Sequence, residues 1–280
     1  MKIEAYAKVN FTLEVFGKRA DGFHALRSLV APVSLSDTLE IEEAEDISSD
    51  TGYADDLCVR AARALRAASG SRGGARIRVE KRIPAGGGLG GGSADAAAVL
   101  VALDSLWNLG LGPGRLAQIG ADVGSDVPAL VLSRFCGPVV MEGRGECVRP
   151  AGLERFPRVD LVFANPGVPS PTGEVYAKCK PRVAQNENLL YNMISALGAG
   201  DADAIARAMA NDLEEPAVSL HPEIEKAKRS LEACGVRRAM VSGSGSTVFG
   251  PVPDGPAGLE IAARLRGMGF KAWTAHCPVV

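Results

Sequence analysis

Between Pro84 and Trp107 the chain reads PAGGGLGGGSADAAAVLVALDSLW. From Gly86 to Gly92 every residue but Leu89 is glycine. The stretch behind the glycines is rich in Ala and Leu and holds no Gly or Pro until Gly110, so it predicts a helix. The stretch ahead, ARIRVEKRI, predicts a strand. Strand, glycine loop and helix follow in that order. Glycines let backbone N–H groups come close to a ligand. A helix N-terminus adds free donors and a partial positive charge. Together they make an anion site, with phosphate the usual occupant. Ser93 is a good N-cap residue and marks the expected helix start; a glycine hinge without ligand is the alternative.

The type of phosphate loop is constrained by what is missing. A P-loop requires Lys before its Ser or Thr, and Gly92 stands there. A dinucleotide fingerprint can be laid on Gly86, Gly88 and Gly91, but any glycine-rich run matches it. The acidic residue it needs about 20 positions on, at the end of a second strand, is absent, since Asp104 lies inside the helical run.

Composition narrows the class further. With 280 residues, 46% hydrophobic and 23% charged, the chain suits one large globular domain or two smaller ones. A net charge of −2 gives no footprint for nucleic acid. The N-terminus carries Glu4 and Lys8 among its apolar residues, unlike a signal peptide. The longest clean apolar run, Ala96 to Leu103, is far short of the ~20 residues that span a bilayer. The six cysteines form no C-x-x-C pair, and the three histidines lie far apart, so no zinc-type spacing exists. Scattered thiols fit a reducing cytoplasm.

Residues 2–16 alternate apolar and polar, which predicts a half-buried strand. Lys8 and Asn10 share its polar face, roughly 7 Å apart along the strand; a solvated face is the plain alternative. A turn-rich segment follows and ends on Phe23 and His24, which either pack on the core or grip a flat ring. Residues 29–35 and 38–43 predict two strands around a turn at Ser36-Asp37, and a helix is expected over residues 56–68. In the strand before the glycines, Lys81 falls on the same face as Ile77, Val79 and Ile83, as a ligand group or a snorkelling side chain. Asp95 in the first turn of the main helix is expected to complement the helix dipole, with a magnesium or water contact as the alternative. Asp126 lies on a bend in GSDVP, with Val127 biased away from helix by Pro128; it is either an N-cap or a carboxylate facing a cleft.

Residues 135–149 predict a hairpin around Gly143-Arg144-Gly145, and residues 150–157 a domain join. Beyond the join come a strand, helices at 186–198, 201–213 and 221–234, two strands, a helix and a last strand. Merging the helices gives β-α-β-β-α-β, the ferredoxin-like order. Between the two middle strands sits SGSGS, either a plain turn or a set of N–H groups that closes on a phosphate. It does not fit the Gly-x-Ser-x-Gly hydrolase elbow.

AKVNFTLEV, RIPAGGGLGGGSADAA and VSGSGSTVFG stand in a fixed order along the chain, with GKRADGFH, GSDVP, NPGVPSPTGEVY and NDLE between them. In this the chain resembles the GHMP kinase superfamily, over nearly its whole length. The resemblance implies a two-domain α+β fold: a ribosomal-protein-S5-like N-terminal domain (residues 1–152) that binds ATP, and a ferredoxin-like C-terminal domain (residues 153–280). It implies Lys8 and Asp126 as the catalytic pair, and Asn10, Phe23, His24 and Tyr176 as substrate-binding residues around a cytosine. It implies ATP contacts at Asp56, Leu57, Lys81, Pro84, Gly86, Gly87, Gly88, Leu89, Gly90, Gly91, Gly92 and Ser93, with Gly243, Ser244 and Gly245 lining the cleft. Phe23 stands where the family usually has Tyr, and Asp56 where it often has Asn. The substrate so implied is a small cytidyl diphosphate alcohol, with Mg²⁺ expected and its ligands unassigned. Another small-alcohol kinase, of homoserine or mevalonate type, and a non-catalytic nucleotide-binding module are the alternatives. Phe23, His24 and Tyr176 argue against the first, and retention of both Lys8 and Asp126 against the second.

Overall fold

The alternation at the start of the chain builds β1 (Lys2–Lys18), the spine of the first sheet. The computed structural model describes residues 1–153, 156–183 and 187–277. β1 pairs antiparallel along its length with β2 (His24–Ala44). The expected break at Ser36-Asp37 does not occur; β2 runs through it. Side-chain bonds satisfy these polar residues within the strand. Ser36 Oγ donates to Glu4 Oε2 at 2.6 Å, and Asp37 Oδ1 accepts from the backbone N–H of Ile83 at 2.8 Å.

There follow β3 (Ile47–Ser49), α1 (Leu57–Ser69), β4 (Gly74–Glu80), α2 (Gly91–Leu106), α3 (Gly112–Gly120), α4 (Val127–Cys136), β5 (Val139–Gly143) and β6 (Cys147–Pro150). Strands β3, β4, β2 and β1 lie side by side, and the β5–β6 hairpin attaches to β2. α2 lies over this sheet with α1, α3 and α4 against it. Its small and aliphatic residues from Ala96 to Leu100 are therefore all buried, as expected for a helix enclosed on several sides. α4 begins at Val127, where a loop is predicted from Pro128. The proline sits in the first turn, where a missing N–H costs no helical hydrogen bond.

The second half holds β7 (Val159–Asn165), α5 (Thr172–Lys178), α6 (Glu187–Ala199), α7 (Ala202–Ala208), β8 (Ala210–Asn211), α8 (Glu214–Leu220) and α9 (Pro222–Ala233). It ends with β9 (Met240–Val241), β10 (Val248–Val252), α10 (Gly255–Gly267) and β11 (Lys271–Cys277). Its sheet runs β11-β7-β10-β9, and with the helices between β7 and β9 merged it has the predicted β-α-β-β-α-β order. One predicted helix, 201–213, stops at Ala208. The next residues form β8, which pairs in parallel with β1 at Thr12 and Leu13, so a strand of the second half extends the first sheet. The predicted helix start at residue 186, the end of the last strand at 278–279 and residues 154–155 of the join lie outside the described residues.

A candidate active site between the two sheets

Lys8 and Asn10 are 4% and 2% exposed, so the polar face of β1 is not solvated. The strand is buried on both faces, one against α2 and one beneath the second half of the chain. Register shifts lie between Tyr6 and Lys8 and between Asn10 and Thr12. Such bulges re-aim side chains, and these two bracket the pair. Lys8 Nζ donates to Asn10 Oδ1 at 2.7 Å, and Asn10 Nδ2 donates to Ser28 Oγ at 2.8 Å. Ser28 in turn donates to the Thr12 carbonyl at 2.6 Å. The Asn10 amide is thereby fixed with its oxygen toward the ammonium. Ser28 is a positioning residue that the pattern of β2 alone did not single out.

Asp126 stands immediately before α4 and makes no capping hydrogen bond. Its Oδ2 lies 3.4 Å from Lys8 Nζ, and the carboxylate keeps partial exposure to the cleft. Of the two readings of this residue, the structure selects the carboxylate facing the cleft.

The glycine loop is held from both sides. Lys8 N–H donates to the Leu89 carbonyl at 3.0 Å, and Leu89 is fully buried. Thr247 N–H donates to the Gly87 carbonyl at 3.1 Å, and Ser242 Oγ to the Gly88 carbonyl at 3.0 Å. Gly88 has φ +76°, and a Cβ there would collide with the Ser242 carbonyl. Part of the glycine content therefore serves the close approach of the SGSGS turn, as well as access for a ligand. α2 starts at Gly91 with Gly90 as its N-cap, so Ser93 is the third helical residue and not the cap. A left-handed glycine (φ +68° at Gly90) makes the turn that a side chain was expected to secure. The SGSGS turn is itself fixed by Asn211, whose Nδ2 donates to the carbonyls of Val241 and Gly243 at 2.8 Å.

His24 and Tyr176 also line the cleft, and their rings stack with centroids 5.6 Å apart and planes inclined by 30°. Burial and the nearby Lys18 hold the His24 imidazole below its ordinary pKa. Burial, then the charge of Asp126 and then Cys179, push the Tyr176 phenol up. Phe23 is 49% exposed, and the Arg144 guanidinium lies 5.2 Å from its ring centroid. So His24 is the ring stacked on Tyr176, while Phe23 pairs with a cation (a partner the sequence did not indicate).

Lys81 lies beyond the end of β4, so period-two placement on that strand does not apply to it. It is nevertheless held beside the loop by Asp37 and Asp95, at 2.5 and 2.6 Å. Asp95 is 3% exposed and ion-paired, where dipole complementarity at a helix end was expected. Asp56 is the N-cap of α1, accepting from Cys58 N–H and from Thr51 Oγ, each at 2.7 Å. Burial of its carboxylate is outweighed by bonds from Ser49, Thr51 and the backbone of Cys58 and Val59, and its pKa lies below the ordinary value.

A cleft of about 800 Å³ joins these groups. It is lined by Lys8, Asp126, Lys81, the glycine loop, His24 and Tyr176. Asn10, Phe23, Leu57, Pro84, Ser93 and the turn Gly243–Gly245 also border it. Asp56 is not among its lining residues.

The family patterns described as GHMP kinases N terminal domain and GHMP kinases C terminal match residues 56–134 and 193–270. A protein of Symbiobacterium thermophilum, named 4-diphosphocytidyl-2-C-methyl-D-erythritol kinase, is 42% identical, with 99% of each chain covered. The chain belongs to the GHMP kinase family. A kinase of the same name from Pelotomaculum thermopropionicum is 41% identical over 94% of this chain and 92% of its own. The crystal structure of a 4-(cytidine 5'-diphospho)-2C-methyl-D-erythritol kinase superposes with a TM-score of 0.83 at 36% identity, covering 99% of this chain and 98% of that one. A homoserine kinase from Cytophaga hutchinsonii shares the fold, with a TM-score of 0.75 at 17% identity over 100% and 94% of the two chains. For a GHMP kinase the cleft must hold ATP and an alcohol together. The glycine loop, the stacked rings, Lys8 and Asp126 all line that one cleft.

Proposed function

We propose that this GHMP kinase transfers the γ-phosphoryl group of ATP to the 2-hydroxyl of 4-diphosphocytidyl-2-C-methyl-D-erythritol. The products are ADP and the 2-phosphate, a step toward isoprenoid precursors outside the mevalonate route. The carrying observation is the Lys8–Asp126 pair, 3.4 Å apart, in one cleft with the glycine loop and a stacked His24–Tyr176 pair. The names of the relatives at 41 and 42% identity support the substrate. We place the division of the chain near residues 152–153 and the enzyme in the cytoplasm.

Asp126 orients the 2-hydroxyl and accepts its proton as the oxygen bonds to the γ-phosphorus. The bond from that phosphorus to the β,γ-bridging oxygen breaks, and ADP leaves. Lys8 offsets charge on the transferring group and, through Asn10 and Ser28, is held toward it. Such transfer rests mainly on positioning and charge stabilisation. Backbone N–H groups from Gly86 to Ser93 cradle the phosphates, with Pro84 and Leu57 bordering them and Gly243, Ser244 and Gly245 closing from above. His24 reads the edge of the cytosine while Phe23 and Tyr176 supply its faces. Asp56 acts on this site through α1, whose first turn it caps, rather than by contact.

Mg²⁺ would partly neutralise the triphosphate. Among the described residues no group of three or more His, Cys, Asp or Glu could hold a metal without the nucleotide. The ion would arrive on the nucleotide's phosphates. The test is direct: purified protein with ATP, Mg²⁺ and the cytidyl alcohol should release ADP in step with loss of the alcohol. ADP release unchanged by adding the alcohol contradicts the proposal.

A further inference from the structure

Lys81, Asp37 and Asp95 form a cluster at the edge of the cleft that the transfer chemistry does not use. One ammonium donates to two carboxylates, at 2.5 Å to Asp37 and 2.6 Å to Asp95. The two anions are not equivalent. Asp37 Oδ1 accepts two further bonds, from the backbone N–H groups of Arg82 and Ile83, at 2.5 and 2.8 Å. Asp95 Oδ1 is buried and accepts none. A buried carboxylate with an unpartnered oxygen is costly when ionised. With both acids ionised the cluster also carries net charge −1, and it stands directly behind the phosphate loop. A Cβ on Gly91 would lie 3.5 Å from Lys81 Nζ.

A polyanion settling on that loop repels the ionised Asp95, and the neutral acid removes the repulsion. Burial already pushes the Asp95 carboxyl up to about 7, against the pull of Lys81 and with the help of Asp37. The charge is therefore labile near neutral pH. From α1, Cys58 faces Asp95, with Asp56 close to it. The Cys58 thiol is pushed up by burial and then by Asp95 and Asp56, so it stays neutral. On β1, Lys8 is turned to Asp126 and Asn10.

We propose that Asp95 is a positioning residue that couples nucleotide binding to proton uptake. As the phosphates reach the glycine loop, the Asp95 carboxylate takes a proton from solvent. Lys81, relieved of one of its two anions, turns its charge toward the nucleotide. This rests on the reading of the loop as a nucleotide site.

The test is calorimetry of MgATP binding without the alcohol, in buffers of differing ionisation heat. At about pH 7.5 the wild-type protein should take up roughly half a proton, and its affinity should fall about tenfold from pH 6 to pH 8.5. Asp95→Asn should remove the uptake and flatten the pH profile. Lys81→Met should remove it too at that pH, because Asp95 without its cation is protonated before the nucleotide arrives. Wild-type binding without proton uptake overturns the proposal even if neither variant folds, and so does equal uptake by Asp95→Asn. Absence of any MgATP binding to the wild-type protein is a different result, and it removes the nucleotide reading itself.

Discussion

Lys8 Nζ and Asp126 Oδ2 lie 3.4 Å apart, brought together from β1 and from the residue ahead of α4. Neither is placed there by its own element alone. Bulges in β1 aim the lysine, and Asp126 leaves the α4 N–H groups uncapped. Asp126→Asn keeps the shape and removes the carboxylate's charge. Its turnover should fall about 10²–10⁴-fold, with ATP affinity within about threefold of wild type. Steady-state kinetics with a separate nucleotide-binding measurement checks this, and unchanged turnover excludes Asp126 from the chemistry.

The stacked His24–Tyr176 pair predicts a split between the two substrates. His24→Ala and Tyr176→Ala should raise KM for the cytidyl alcohol by about tenfold or more, and KM for ATP by less than about threefold. Equal increases for both would move the base pocket elsewhere.

His24 also predicts a pH dependence. Burial, followed by Lys18, favours its neutral form. With its pKa lowered by folding, the stability it adds is present above the ordinary value of about 6.5 and is lost as pH falls through the lower folded value. Binding of the cytidyl alcohol should follow the same sense. KM should be flat above about pH 7 and rise on acidification, and His24→Ala should lose that rise.

Gly88 and Gly92 separate two uses of glycine within one loop. Gly88→Ala puts a methyl against the Ser242 carbonyl at a positive φ, so it should destabilise the protein by about 1–3 kcal/mol. A Cβ on Gly92 would meet only Leu57 Cδ1 at 3.4 Å. Gly92→Ala should therefore change stability by less than about 0.5 kcal/mol. Urea unfolding of both variants reads the difference, and equal losses would contradict the docking of loop on turn.

The buried ion pair of β1 with β2 predicts a stability effect away from the reacting groups. Arg27 donates through its Nε and Nη2 to Glu14 Oε2 at 2.9 and 2.8 Å. Arg27→Met leaves the Glu14 carboxylate buried, with Arg182 still reaching it at 3.4 Å. Because Arg182 still pairs with Glu14, a loss below the ~3–5 kcal/mol of an uncompensated buried charge is expected, and Glu14→Leu combined with Arg27→Met should recover part of it. Thermal unfolding checks both.

Much of this site was legible because its signals are local. Six glycines before an Ala-rich run announce a phosphate loop, and alternation announces β1. What stayed hidden depends on partners distant in sequence. The same alternation that placed Lys8 on a polar face could not say that the face is covered by the second half of the chain. Asp37 looked like a turn residue because Asp often is one, yet Lys81 and two backbone N–H groups hold it inside a long strand. Ser93 looked like a cap because it can be one, until a left-handed Gly90 took that position. Tertiary contacts overrode local propensity for Lys8 and Asp37, and a neighbouring glycine did so for Ser93.

The choice of alcohol is read most directly by a panel of single substrates. The protein is given MgATP with the cytidyl alcohol, mevalonate or homoserine in turn, and ADP release is followed. The account predicts release with the cytidyl alcohol alone. Release with mevalonate or homoserine and none with the cytidyl alcohol would contradict it.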